Sequence, residues 1–488
     1  MARAVRTQAD DNVAVALEPA KSGEVLSDGT FGVVAVEDIP SGHKVALQTI
    51  EAAAAIRRYG HPVGVATRDI AAGALVHRHN ASGSQESLAP GAGSADPGLG
   101  PASLPSTRDL AFSGFRRADG RVGTRNELWL VCRLGSVEGL ARRVAAELRA
   151  QDDDEEAGVW VVPALDSAPN PDPAFDRFLG SLVSHPNCGA ALLIGLRSAD
   201  PSRLSPARAE AGRLRQIGLQ DEPEGYRAVL EAAQELRALI RQDTRSRQDI
   251  GKLVLGLKCG ATDGLSGLSA NPLLGRLADI VVAGKGAALL SELPELTEAA
   301  EHFKARAATP AISARLDLVL ADYRQLFLRE GAAVPGEPNP GNIEGGVTTL
   351  AEKALGAAQK SGSSPLVAVL RYGEAAAASG LQIVEAPGSD ELSTSALVVA
   401  GANIVLFSTG KGTPLGAFAP VVKVSSTRRL ASEKPDWIDF DAEPMVETAR
   451  QASCLSGLLD LVLDVASGQR TKSHAERHMA FWRRAAVL

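Results

Sequence analysis

Twenty-seven residues, 81–107, read ASGSQESLAPGAGSADPGLGPASLPST, 20 of them Ala, Gly, Ser or Pro. Such a segment has too few bulky apolar side chains to offset the entropy lost on ordering, so it reads as a linker. The chain is thereby divided into a small unit before it and a large one after it. At 488 residues the whole is too long for one typical domain.

The two sides differ in pattern. Residues 11–80 are expected to be all-β. DNVAVAL, GVVAVEDI, HKVALQTI, HPVGVATRDI and GALVHRHN are short Val/Ile/Leu runs bounded by Gly, Pro and Asp. One helical piece, AAAAIRRYG, is expected among them, closing on Gly60. VEDIPSGHKVAL and TRDIAAGALVHR repeat the order Asp, Ile, Gly-containing turn, strand, as a local pseudo-repeat would. From 108 to 245 and again from 250 to 488, apolar runs such as ELWLVCRL, GVWVVPAL, AALLIGL, KLVLGLKCG, DIVVAGKGAALLSE and ALVVAGANIVLFSTGKG alternate with helical patterns. That alternation predicts two α/β domains with largely parallel sheets, whose chemistry gathers in loops at the carboxyl ends of strands. DDDEE at 152–156 reads as a solvated loop.

Composition narrows the function classes. Charged residues are 22% and apolar residues 45%, ordinary for a globular chain, and aromatics are only 4%, so the cores rest on Leu, Val, Ile and Ala. A net charge of −7 argues against nucleic acid or an anionic membrane as partner. No apolar run of 18 residues occurs and the N-terminus lacks a signal-peptide core, so neither a membrane span nor secretion is expected. Four unclustered cysteines (Cys132, Cys188, Cys259, Cys454) read as free thiols of a reducing compartment, and a cytoplasmic location is expected.

Five phrases could carry chemistry, and each also has a plain structural reading. In ALVHRHN, His77 and His79 would share one face of a strand and could converge on an ion, or simply decorate a strand end. GFRRADGRVGTRN brings Arg116, Arg117, Arg121 and Arg125 into a Gly-rich turn that could clamp a carboxylate, or sit solvated. KCGATDGLSGLSANP places Cys259, Thr262, Asp263, Ser266 and Asn271 after a strand, where Cys, Asp and Asn could bind metal or hydroxyls; an inert buried thiol is the alternative for Cys259. PNPGNIEGGVTTLAEKALG offers Asn342 and a capping box from Thr349 to Glu352. FSTGKGTPLGA sets Thr409 and Lys411 in a loop whose amides could hold an anion, without the spacing of a P-loop.

In this order, together with VALEPAKSGE, GHKVAL, RRYGHPVGVATRDIAAGALVHRHN and KPDWIDFDA, these phrases resemble the altronate/galactarate dehydratase family over nearly the whole chain. The resemblance implies an N-terminal SAF-type β-domain, a linker and two α/β domains. It implies a lyase that removes water from a hexonate or hexarate to give a 2-keto-3-deoxy acid. It also implies a divalent metal, iron(II) first, with manganese or magnesium as alternatives. On it, His77, His79 and Asp263 become candidate catalytic residues, and His77, His79 and Cys259 candidate metal ligands. Arg125, Asn126, Asn271, Asn342, Thr409 and Lys411 become candidates for substrate contact. The partner implied is a small sugar acid, with a homodimer as the default assembly.

The chain also departs from the pattern. Ser136, Ser198 and Ala199 stand where the resemblance expects Cys, Cys and Glu, PALDSAPNPDP lacks the expected His and Cys, and Lys258 replaces an acidic residue before Cys259. Serine is a poor substitute for a metal-binding thiolate. Two readings therefore stand beside each other: an active metal-dependent hydro-lyase, and an impaired member, without a metal, that binds a sugar acid or a partner subunit. A related lyase with another leaving group, such as sulfite, is the third.

Overall fold

The computed structural model describes residues 1–83, 107–151, 158–165, 173–329, 338–376 and 378–483. Most of the low-complexity stretch, the DDDEE run and much of PALDSAPNPDP lie outside these residues. No helix among the described residues is long and apolar enough to cross a membrane.

The N-terminal unit is all-β. Its six-stranded sheet runs, in space, Gly32–Val34, Val25–Ser27, Ala2–Val5, Val13–Ala16, Lys44–Ala46, Leu75–Val76, so it begins upstream of residue 11. The pseudo-repeat is visible in the hydrogen bonds: Gly42 N donates to Ala16 O and Gly73 N to Ala46 O, each by 2.8 Å. The expected helix at AAAAIRRYG is instead a hairpin, Ala55–Arg58 against His61–Ala66. Two left-handed residues, Tyr59 (φ 60°) and Gly60 (φ 74°), make its turn. Four alanines are too short a run to nucleate a helix, whereas burial of Ile56 and Arg58 on one face satisfies a strand's period of two.

The second unit carries a four-stranded parallel sheet in the order Val159–Val162, Glu127–Cys132, Cys188–Gly195, Leu214–Gly218. The C-terminal unit carries seven parallel strands, ordered Leu366–Leu370, Gly380–Val384, Ala287–Leu290, Val254–Gly260, Ile404–Thr409, Val421–Ser425, Phe440–Asp441. Two apolar runs expected as strands belong in part to buried helices: Asp279–Ala283 ends the helix Ala270–Ala283, and Ala396–Val399 ends Asp390–Val399. A helix buried on every side is as continuously apolar as a buried strand, so periodicity does not separate them.

The two α/β units share one core. Alternate residues of the Glu127–Cys132 strand face opposite ways. Leu128, Leu130 and Cys132 pack under the helices Glu138–Ala150 and Gly225–Ile240, while Trp129 and Val131 join the apolar interior of the C-terminal unit.

The N-terminal unit docks onto the C-terminal one through charge. The capping-box expectation is met in part at the helix Leu350–Ala358: Thr349 Oγ1 accepts from Glu352 N at 3.1 Å. The Glu352 carboxylate accepts from Thr348 N (2.8 Å) and turns toward the other domain, meeting Lys44 Nζ at 2.9 Å and an Arg58 guanidinium nitrogen at 2.5 Å. Lys44 also donates to Gly346 O (2.8 Å), and Arg58 to Gly264 O (2.7 Å). All three charged groups are at most 2% exposed. The cations hold the Glu352 carboxyl down at about 2, against the penalty of its burial.

Removing one member of a buried ion network leaves uncompensated charge, so Glu352→Gln should cost about 3 kcal/mol or more in denaturant unfolding at pH 7. A carboxyl whose folded value lies below its unfolded 4.5 stabilises fully above 4.5 and stops doing so as pH falls toward about 2. Wild-type stability should therefore fall across that window more steeply than the variant's. A variant within about 1 kcal/mol of wild type would contradict this assignment.

Candidate functional site

The C-terminal sheet has a topological switch point. After Val254–Gly260 the chain adds strands on one side, and it crosses to the other side only at Ile404–Thr409. Ligands of open parallel sheets bind in the crevice beyond such adjacent carboxyl ends. Here Cys259 pairs with Ser408 and Gly260 with Thr409, and the loops 261–269 and 410–416 emerge side by side.

Asp263 organises this junction. Its Oδ1 accepts from Leu265 N (3.0 Å), Ser266 N (2.7 Å) and Ser266 Oγ (2.8 Å), and its Oδ2 accepts from Ser426 Oγ (2.8 Å). Both carboxylate oxygens are thus engaged in holding the loops, a positioning duty. Asn342 reaches in from the helix Pro340–Glu344 and donates to Thr262 O (2.9 Å). Its Oδ1 is buried with no hydrogen-bond partner among the described residues. Thr409 Oγ1 accepts from Lys411 N (3.3 Å) and Gly412 N (2.8 Å), and Gly410 N donates to Ala261 O (3.1 Å). Those amides are spent inside the loop, so the expected anion cradle is not open. Lys411 Nζ stands at the rim, paired with Glu344 at 2.9 Å.

The N-terminal unit closes over these loops with no space to spare. A Cβ on Gly264 would lie 1.9 Å from Gly42 O, and one on Gly346 (φ 94°) 2.3 Å from the same oxygen. The next residue, His43, faces His77 edge to face, ring centroids 5.3 Å apart. His77 Nδ1 lies 3.2 Å from Thr348 Oγ1. His43 Nδ1 lies 3.1 Å from Ser41 O, an oxygen that only accepts, so in the neutral ring Nδ1 carries the proton and Nε2 keeps a free lone pair. Burial and the nearby Lys44 charge push His77 down to about 4, and burial lowers His43. At neutral pH the junction therefore presents two uncharged imidazoles able to accept protons.

The expected pairing of His77 with His79 on one strand face is corrected. The strand ends at Val76, and residues 77–80 form a turn closed by Asn80, whose Oδ1 accepts from His77 N (2.9 Å). His77 points to Thr348 while His79 is exposed. Cys259, at the strand end, is buried with Sγ 3.5 Å from Glu292 Oε2, and burial pushes its thiol up. Among the described residues no three His, Cys, Asp or Glu side chains gather as a cation requires. The set His77, His79 and Cys259 does not fit a preformed metal centre.

Other expected contacts serve the fold, Arg125 between the two α/β units and Asn126 and Asn271 within one unit each. Arg125 donates to Val465 O (2.8 Å) and Gln469 O (2.7 Å), and Asn126 is held by Arg117 (2.8 Å) and donates to Ile240 O (2.7 Å). Arg117 also reaches Pro186 O (2.8 Å) and Arg121 reaches Ser184 O (2.7 Å). Arg117, Arg121 and Arg125 fasten backbone carbonyls rather than form a ligand clamp, while Arg116 is exposed. Asn271 is fully buried between Gly356 O (2.8 Å) and Ser408 Oγ (2.6 Å). Ser136 and Ser198 are exposed beyond the ends of neighbouring second-domain strands. Sequence reasoning missed His43, Lys44, Arg58 and Thr348. The signal was GHKVAL itself, where a His–Lys pair opens a strand otherwise apolar.

Three family models cover the chain: the altronate/galactarate dehydratase SAF domain over residues 2–84, the second domain of D-galactarate dehydratase/altronate hydrolase over 114–243, and the C-terminal domain of D-galactarate/altronate dehydratase over 250–487. The chain is 37% identical to an altronate dehydratase of Escherichia coli strain K12, covering 96% of each chain. It is 34% identical to an altronate dehydratase of Bacillus subtilis strain 168, over 95% of each. It is 30% identical to the L-threo-forming galactarate dehydratase of Escherichia coli K12, over 96% of this chain and 93% of that one.

The electrostatic account of His77 is open to titration by NMR. Its ring is expected to protonate near pH 4, and Lys44→Met should raise that value because a neighbouring positive charge is removed. An unperturbed His77 in wild type, or no rise in the variant, would contradict it.

Proposed function

The chain belongs to the altronate/galactarate dehydratase family, and on that premise we propose that it removes water from a sugar acid, a hexonate or hexarate, to give a 2-keto-3-deoxy acid. The observation that carries the reading is the pair of neutral imidazoles, His43 and His77, held over the loops of the switch point. Dehydration needs a base for the weakly acidic proton on the carbon beside the carboxylate, and an acid for the departing hydroxyl. One imidazole takes the C2 proton and the C2–C3 double bond forms as the C3 hydroxyl leaves, protonated to water. The resulting enol then takes up a proton at C3 as it becomes the 2-keto acid. His43, with Nε2 free, suits the base; the imidazolium it becomes on taking the C2 proton supplies the proton for the departing hydroxyl, directly or relayed through His77 beside the Thr348 hydroxyl.

Binding falls to groups nearby. Lys411 is the rim cation suited to a carboxylate, and the unpartnered Asn342 Oδ1 suits a sugar hydroxyl. Asp263 fixes the neighbouring 261–269 loop and ties it to Ser426. A second reading, binding without turnover, is favoured by one observation: Ser136 and Ser198, where the resemblance expects thiolates, lie exposed at adjacent strand ends.

The test is formation of a 2-keto-3-deoxy acid across a panel of hexonates and hexarates. His77→Ala and His43→Ala are each expected to lower the rate by about 10²-fold or more, the usual contribution of a positioned acid or base. Ser136→Ala should change it little. Wild-type rates in both histidine variants would refute the roles given to them. Absence of product from every acid, with binding retained, would favour the second reading.

A further inference from the structure

One buried charge cluster takes no part in the scheme above. It lies at the carboxyl ends of the strands Val254–Gly260 and Ala287–Leu290 and contains Lys258, Cys259, Glu292 and Lys360, each at most 4% exposed. Glu292 holds a left-handed backbone (φ 83°), a strained state for a non-glycine residue that persists only where its surroundings enforce it. Its two carboxylate oxygens are both taken. Oε1 pairs with Lys258 Nζ; Oε2 meets Lys360 Nζ at 2.8 Å, Cys259 N at 3.4 Å and Cys259 Sγ at 3.5 Å.

Lys258 Nζ is fully committed as well. Besides Glu292 it donates to Cys259 O (2.8 Å) and pairs with Asp390 Oδ1 (3.0 Å), which uses the three donors of an ammonium. Two carboxylates and a backbone carbonyl thus surround one positive point, with the Cys259 thiol against the same Glu292 carboxylate; oxygen donors of this kind elsewhere hold divalent cations. Lys258 is also the residue that stands where the resemblance expects an acidic side chain.

We propose that the Lys258 ammonium is a built-in replacement for a cation at the Cys259–Glu292 pocket, so that this pocket excludes divalent metal. A dication entering beside Glu292 would meet two ammonium groups already within hydrogen-bond distance of that carboxylate, and like charges so close in a buried site repel strongly. To admit it, Lys258 would have to leave, stranding its own buried charge. The inference concerns this pocket alone and stands whether or not the sugar-acid reading does.

Anaerobic titration with cobalt(II) tests it, read by the thiolate-to-cobalt absorption band and by metal content after gel filtration. Wild type should retain no cobalt that depends on Cys259, and its thermal midpoint should not move with cobalt or with chelator. Lys258→Glu restores an acidic ligand and removes the ammonium. It should retain about one cobalt per chain with a thiolate band that Cys259→Ser abolishes, and its melting midpoint should rise with cobalt. A wild-type thiolate band lost in Cys259→Ser would overturn the proposal, as would a folded Lys258→Glu chain that retains no cobalt. Should Lys258→Glu not fold even with cobalt, the comparison of wild type with Cys259→Ser decides by itself.

Discussion

A single buried carboxylate holds the molecule's working geometry together. Glu352 lies at the start of one C-terminal helix, yet its charge is answered from the N-terminal domain by Lys44 and Arg58. Those cations in turn satisfy the carbonyls of Gly346 and Gly264, two residues whose lack of a side chain lets Gly42 press against them. Arg58 also lies 4.5 Å over the ring of Tyr59, whose hydroxyl would be 2.1 Å from a Cβ on Gly267. Apolar packing adds to the joint, since Leu355 belongs to the core of the N-terminal unit. The arrangement is specific because a charge buried this deeply tolerates only its own partners.

The consequence is positional. His43 is the neighbour of Lys44, and His77 follows the strand that pairs with Lys44–Ala46. Both rings are therefore carried to the switch-point loops by the same network that fastens the domain. Their neutrality follows from the same cause, because burial and the Lys44 charge both disfavour a second positive charge. On the opposite side the second domain shares a continuous core with the C-terminal sheet and is stapled to it by Arg125. The α/β units make one shared-core base, and the small β-unit brings the imidazoles to it.

Much of this was legible in the sequence, and the misses have physical reasons. The β-unit and the α/β alternation followed from side-chain periods and from Gly placement. AAAAIRRYG was misread because alanine propensity is a weak local preference, overridden once Ile56 and Arg58 find buried partners. The pairing of His77 and His79 failed because Asn80 turns the chain immediately after Val76, and an asparagine's side-chain bond is not visible in a spacing. The arginines of GFRRADGRVGTRN looked like ligand clamps because guanidinium donors suit carboxylates and backbone carbonyls alike; only the fold decides which is met. Glu352 was read as a cap, and half of that role is real, but its distant cations lie roughly 300 residues away in sequence and no local pattern points to them.

The Glu352 network is central because docking of the β-unit, closure of the glycine contacts and presentation of the histidines all depend on it. Hydrogen exchange by mass spectrometry on Glu352→Gln examines that dependence directly. Exchange should rise together in Lys44–Ala46, in the hairpin Ala55–Ala66 and in the loops around Gly264 and Gly346, while the strands Glu127–Cys132 and Cys188–Gly195 stay protected. Unchanged exchange at the junction, or an equal rise throughout the chain, would contradict the claim that this carboxylate holds the β-unit over the site.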